Sequence, residues 1–254
     1  MQSLTSCNPI FMQCLLCHSD SEPFTESQGR SFHLCQVCQL IFVEPDCHLA
    51  EAEEKERYLE HENSIENQGY VKMFRDKIEI IQQHCFGIKS VLDYGCGYAP
   101  VLCTLLERDG FSARGYDSYF FPEWDDAAGY DLIVSTEAFE HFRNPLKELQ
   151  RIKAALNSAG YLAVMTKWYP VKDNLPDAKA FRAWYYQRDP THIVFYGPAT
   201  FAWIADHLAM KRIYDNAFDF VIMRKTNTPK SIAEQALESN SDNPTDIDSS
   251  KCVG

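Results

Sequence analysis

Val91-Leu92-Asp93-Tyr94-Gly95-Cys96-Gly97 decides how the chain is read: an apolar β-prone run ends in a glycine turn just before a helical pattern. Without side chains, the two glycines let backbone N–H groups approach a ligand closely. A Gly-x-Gly pair alone is weak evidence. A dinucleotide fingerprint needs a third glycine three residues after Gly97, where this chain has Pro100. Asp93 points the same way, because a carboxylate at the strand end sits badly beneath a pyrophosphate and well beside an ammonium group.

Outward from this turn, the chain alternates apolar strands with helical segments from Ser90 to Lys225, the pattern of a parallel sheet wrapped by helices. Strands are expected at Val91–Tyr94, Ala113–Asp117, Asp131–Ser135 and Tyr161–Thr166, with helices at Pro100–Asp109, Pro145–Leu156 and Pro198–Leu208. Lys211–Tyr214 and Phe218–Arg224 are close enough to pair as a hairpin. The stretch from Ser118 to Gly129, broken by Pro122, is too short for a further strand there.

DYGCGYAP resembles the first motif of class I S-adenosylmethionine-dependent methyltransferases, with Ala99 in place of the last glycine. The resemblance covers roughly Ser90 to Lys225. It implies an α/β fold, a Rossmann-like sheet with a terminal antiparallel hairpin, and S-adenosylmethionine held by Asp93, Gly95 and Gly97. Asp117, 24 residues after Asp93 at the end of the second strand, matches the acidic residue that grips both ribose hydroxyls in this family. Both aspartates could instead simply cap loops. Tyr119 or Trp124 is a candidate for stacking on adenine, with Asp125 or Asp126 on its amino group, and either ring could equally be packing.

Asp131-Leu-Ile-Val-Ser-Thr136-Glu137-Ala-Phe-Glu140-His141 resembles the family's fourth-strand motif, which ends beside the sulfonium methyl and so places Thr136 at the cofactor. If the chain turns helical after Thr136, then Glu137, Glu140 and His141 share one face. Glu137 and His141 are therefore candidates for the transfer site, His141 as a base or as a structural histidine. The aromatic-rich excursion from Lys167 to Gly197 is long for a connection inside a compact domain. It offers Trp184, Tyr185, Arg188 and Asp189 for substrate binding and His192 as a base ordered by Asp189; the bland alternative is an aromatic satellite core.

Cys14-x-x-Cys17 and Cys35-x-x-Cys38, with 17 residues between the pairs, have the spacing of a structural zinc site, because each turn aims two thiolates at one tetrahedral ion. A segment this short has too little core to fold without a staple. A zinc-ribbon-like module is expected over residues 1–46. His18 is a lesser candidate ligand, and the remaining cysteines have no paired spacing. Residues 47–88, acidic and then apolar at helical intervals, are expected to form a helical connector; 89–225 form the methyltransferase domain; 226–254, polar throughout, are expected to be a disordered tail.

Ten cysteines arranged in this way favour metal in a reducing compartment over a disulfide framework. A net charge of −12 disfavours nucleic acid and anionic membranes as partners. With no apolar run near the roughly 20 residues needed to span a bilayer, and no charged leader, a cytoplasmic enzyme is expected. The expected partner is a small or mid-sized methyl acceptor. The competing reading is a zinc-knot protein- or RNA-binding module on a catalytically inactive methyltransferase fold.

Overall fold

The computed structural model describes residues 12–60 and 63–226, so the expected tail lies almost wholly outside the described residues. The N-terminal segment is a meander of β1 (Met12–Gln13), β2 (Asp20–Ser27), β3 (Arg30–Cys35) and β4 (Ile41–Val43), followed by α1 (Glu51–Leu59) and α2 (Gln68–His84). The Asn67 side chain caps α2 by accepting from the Tyr70 N–H at 3.1 Å. Phe74, Ile78 and Ile81, at helical intervals, are the residues that α2 buries.

The alternation expected from the sequence follows: β5 (Ser90–Tyr94), α3 (Val101–Arg108), β6 (Ser112–Tyr116), β7 (Tyr130–Thr136), α4 (Pro145–Ala155) and β8 (Leu156–Met165). Asn144 and Pro145 start α4, the asparagine accepting from the Lys147 N–H. Next come a two-residue ribbon, β9 (Val171–Lys172) and β10 (Leu175–Pro176), then α5 (Ala178–Ala183), β11 (Val194–Phe195), α6 (Pro198–His207), β12 (Met210–Asp215) and β13 (Phe220–Lys225).

The main sheet has the order β12-β13-β8-β7-β5-β6. Strands β8, β7, β5 and β6 are parallel, and β13 lies antiparallel between β8 and β12. This is the Rossmann-like sheet with a terminal antiparallel hairpin expected from the sequence. Among the described residues no strand lies beyond β6, in keeping with the brevity of 118–129; Asp117 and Phe121 form only an isolated bridge there.

The second sheet runs β1-β2-β3-β4-β11. Its last strand comes from the long excursion, Val194 opposite Phe42 and Phe195 opposite Ile41. The excursion is therefore in large part a strand and an aromatic core shared with the N-terminal meander: Phe32, Ile41 and Val43 pack with Tyr169, Phe181, Tyr186 and Phe195. The cysteine-bearing turns are joined to the main core as well, since Cys14, Cys35 and Cys38 belong to the same buried cluster as Tyr94, Phe139 and Tyr196.

Candidate active site and cysteine cluster

The C-terminal ends of β5, β6 and β7 lie side by side, with Asp93 in register with Gly115 and Val134. Ligands bind at this end of open α/β sheets. A cavity of about 820 Å³ opens here, walled by the glycine turn, the ends of β6 and β7, α1 and α2. That volume lies within the roughly 300–1,000 Å³ of small-molecule sites.

At one end, Asp93 is 2 % exposed, and its Oδ1 has no hydrogen-bond partner. Burial, reinforced by the nearby Asp117 charge, pushes its carboxyl up to about 7. Gly95 (φ +84°) and Gly97 (φ +65°) turn the chain beside it. A Cβ on Gly95 would lie 2.4 Å from the Ala138 Cβ, so this position takes no side chain. Asp117 braces the turn: its Oδ2 accepts from the Gly97 N–H at 3.0 Å, and its Oδ1 from the N–H groups of Tyr119 (2.9 Å) and Phe120 (3.2 Å). Tyr119 lines the cavity and donates its hydroxyl to Glu54. Trp124 is not in the cavity wall: its indole N–H goes to Asp126, and its ring packs on Tyr116 and Arg151.

At the other end, Thr136 closes β7 at the cavity wall, and the chain does not continue as a regular helix. Glu137 has φ +50°, a left-handed conformation costing a non-glycine residue roughly 1–2 kcal/mol, and only a short 3-10 turn, Phe139–His141, follows. Glu137 and Glu140 still meet, because the Tyr186 hydroxyl donates toward both, to Glu137 Oε2 at 3.2 Å and to Glu140 Oε1 at closer range. Glu137 has surface open to the cavity but is enclosed by protein, and Glu140 is fully buried. Burial raises both carboxyls above the usual range, and for Glu137 the Glu140 charge adds to it.

His141 and His192 both line the cavity, ring centroids 4.9 Å apart. His141 Nδ1 faces the Thr191 carbonyl at 2.9 Å, and His192 Nδ1 faces the Tyr186 carbonyl at 2.7 Å. A carbonyl only accepts, so each ring carries its proton on Nδ1 and leaves a lone pair on Nε2. Burial lowers both histidines, with His141 adding to the effect on His192, which falls to about 3. Both rings are neutral near pH 7.

Asp189 does not order His192. Its Oδ1 accepts from the Thr191 N–H and hydroxyl, and its Oδ2 pairs with Arg57 at 3.1 Å. Burial would raise this carboxyl, but the Thr191 bonds outweigh it and hold it well below the usual range. Trp184, Tyr185, Arg188 and Asp189 all lie outside the cavity wall. Trp184 packs on Phe181 and Tyr186, Tyr185 is exposed, and Arg188 donates to the Ala183 carbonyl.

The wall that sequence reasoning missed comes from α1 and the loop after His141. Glu54, 5 % exposed, accepts from Tyr58 at 2.6 Å and pairs with Arg143 at 2.6 Å. All three line the cavity. The signal was a tyrosine four residues after a glutamate inside an acidic run, which reads as a solvated helix face.

In the N-terminal module, Cys14, Cys17, Cys35 and Cys38 are free thiols whose sulfurs all lie within 4.8 Å of one another. Cys14 and Cys38 are 3.5 Å apart, and Cys17 and Cys35 are 3.3 Å apart. A tetrahedral zinc with Zn–S near 2.3 Å would hold sulfurs about 3.8 Å apart. Backbone N–H groups of Leu16, Val37 and Cys38 point at the Cys14 and Cys35 sulfurs at 3.4 Å, a set of donors suited to thiolates. The donor set fits zinc, with no open coordination position.

Residues 72–208, more than half of the chain, match a family model described as a methyltransferase domain. The chain belongs to this family and is an S-adenosylmethionine-dependent methyltransferase. The match leaves out the cysteine module. A search of curated proteins finds no match. Among solved structures, a SAM-dependent methyltransferase from Archaeoglobus fulgidus is similar at 16% identity over 61% of this chain and 94% of that one, TM-score 0.44. Magnesium protoporphyrin IX methyltransferase from Synechocystis PCC 6803 is similar at 11% identity over 69% and 94%, TM-score 0.46. A putative methyltransferase from Bacillus halodurans is similar at 13% identity over 60% and 100%, TM-score 0.42. No helix among the described residues is long and apolar enough to cross a membrane.

Proposed function

We propose that the cavity binds S-adenosylmethionine against Asp93 and directs its methyl group to a small or mid-sized acceptor at the Glu137–His141–His192 end. The observation that carries this reading is the buried, unpartnered Oδ1 of Asp93 beside a glycine turn. A carboxylate so placed is costly alone and is stabilised by a cationic ligand such as an amino-acid ammonium. Gly95 and Gly97 give the ligand backbone access, Asp117 Oδ2 retains a lone pair for a ribose hydroxyl, and Tyr119 supplies a ring for adenine. Thr136 lies where the methyl end is expected.

Bound there, the cofactor supplies a methyl carbon open to in-line attack. What the chain must do is align the acceptor and exclude water. Glu54, Tyr58 and Arg143 wall the cavity on the α1 side, and Glu137, His141 and His192 face the acceptor with acceptor-type atoms. These hydrogen-bond acceptors suit a protic methyl acceptor, a hydroxyl or an amine.

Isothermal titration with S-adenosylmethionine and S-adenosylhomocysteine tests the proposal, with binding by the wild type and a loss of at least tenfold in Asp93→Ala expected. A folded wild type that binds neither would overturn it and favour the alternative, a binding module on an inactive methyltransferase fold. The zinc assignment, the cytoplasmic location and the four-part division of the chain are proposals of the same kind, zinc resting on the four converging sulfurs.

A further inference from the structure

His141 and His192 line the inner end of the cavity and Glu140 lies buried behind them, each of the three placing a donor atom within 4.8 Å of the other two. Three features set this group apart from ordinary packing. Each imidazole gives its Nδ1–H to a main-chain carbonyl, of Thr191 or Tyr186, and keeps an Nε2 lone pair. That is the arrangement by which proteins fix the tautomer of a metal-binding histidine. Glu140 is fully buried, with Oε1 bonded to Tyr186 and Oε2 left without a partner. A buried carboxylate oxygen in this condition is costly unless a cation meets it. Glu137 shares the Tyr186 hydroxyl with Glu140 and so holds a second carboxylate at that ring's oxygen.

The frame is rigid. Ile193 N–H donates to the Glu140 carbonyl at 2.8 Å, and Val43 N–H donates to the Ile193 carbonyl at 2.8 Å. The two ligand-bearing segments are therefore joined to each other and to the N-terminal sheet. Histidine and carboxylate donors side by side suit first-row divalent ions better than magnesium or calcium.

We propose that Glu140, His141 and His192 bind one divalent transition-metal ion in the cavity wall, its remaining positions facing the cavity and taking the oxygen of a hydroxyl-bearing methyl acceptor. Cation binding stands by itself; the acceptor half rests on the function proposed above. A hydroxyl bound to the ion releases its proton to solvent more readily. The oxygen then forms a bond to the methyl carbon as the sulfur–carbon bond breaks, its electron pair remaining on sulfur. The products are the methyl ether, S-adenosylhomocysteine and one proton.

The test uses the full chain loaded with one equivalent of zinc, so that the thiolates are filled first, and titrates Mn2+ while following the electron paramagnetic resonance signal of the free ion. One Mn2+ per chain is expected, with and without S-adenosylmethionine, and affinity should fall at least tenfold in Glu140→Gln and in His192→Asn. Added Co2+ should give weak d–d absorption without sulfur charge-transfer bands. A folded wild type that takes up neither Mn2+ nor Co2+ overturns the proposal, and this arm does not depend on the variants folding. Folded variants that bind as the wild type does, or sulfur charge-transfer bands from Co2+, overturn it too. Because S-adenosylmethionine binding is titrated separately, loss of the metal result with the cofactor result intact leaves the proposed function standing, and the reverse pattern leaves the metal site standing.

Discussion

Asp117 Oδ2 accepts from the Gly97 N–H at 3.0 Å, so the carboxylate expected to hold the cofactor ribose also holds the glycine turn in shape. Its other oxygen fixes the N–H groups of Tyr119 and Phe120. Asp117→Ala removes the support of three backbone donors together with the proposed ribose contact. Charge-assisted contacts of this kind contribute about 2–3 kcal/mol, so a thirty- to hundredfold loss of S-adenosylmethionine affinity is expected, accompanied by a lower melting temperature. Asp117→Asn, which keeps one acceptor oxygen, should fall between. Unchanged affinity in folded Asp117→Ala, measured by calorimetry, would remove this residue from the site.

The two glycines of the turn should respond differently to a methyl group. Both have positive φ, so alanine costs roughly 1–2 kcal/mol at either. Only at Gly95 does the new Cβ also collide, 2.4 Å from Ala138 Cβ; at Gly97 its nearest neighbour is Asn63 Nδ2 at 3.6 Å. Thermal melts should place Gly95→Ala clearly below Gly97→Ala, and equal melting temperatures would contradict the close approach of the turn to residue 138.

The sheet was legible because hydrophobic periodicity reports local structure, and each of the strands from β5 to β13 in the main sheet lies within a few residues of its expected place. The glycine turn proposed to hold the cofactor was legible for the same reason: Asp93, Gly95 and Gly97 adjoin in sequence. The acceptor end was not. Glu54 and Tyr58 reach the cavity only because α1 docks across it, and Arg143 only because it pairs with Glu54. The condition on which Glu137, Glu140 and His141 would share a helix face is not met, because Glu137 takes φ +50° and only a short 3-10 turn follows. Asp189 sits three residues from His192, yet it is drawn away by Arg57, a partner 132 residues distant.

Asp93 gives the site a pH dependence of definite sign. Its carboxyl is raised to about 7 in the folded protein from an ordinary value near 4. Between these values the folded state binds more protons than the unfolded state, so the ligand-free protein loses stability as pH rises through the window. Asp93→Asn should remove this share of the slope, and the difference between the two melting curves isolates it from Glu137 and Glu140, which act in the same direction. A cationic ligand prefers the ionised form. Affinity for S-adenosylmethionine should therefore rise between about pH 5 and pH 8 in the wild type, with a flatter profile in Asp93→Asn; matching profiles would show that Asp93 does not face the ligand's charge.

The cysteine cluster should affect catalysis through β11. Cys35 and Cys38 belong to the buried cluster that contains Tyr196 and Phe201, and β4, which follows these turns, pairs with β11 immediately after His192. Arg30, on β3, adds a bond to the His192 carbonyl at 3.0 Å. A zinc ion held by four thiolates would fix this whole edge, and a structural site of that kind contributes directly to folding. Cys35→Ser is expected to lose one zinc per chain and to melt several degrees lower. Turnover should fall by more than cofactor affinity, because His192 hangs on the loosened edge while Asp93 and Asp117 are held by β5, β6 and their own turn. Elemental analysis, thermal melts and single-turnover rates on one preparation separate the outcomes. Fresh wild-type protein with no zinc and an unchanged melt in Cys35→Ser would show that the four thiols only pack, and equal losses of affinity and turnover would show that the edge does not act through His192.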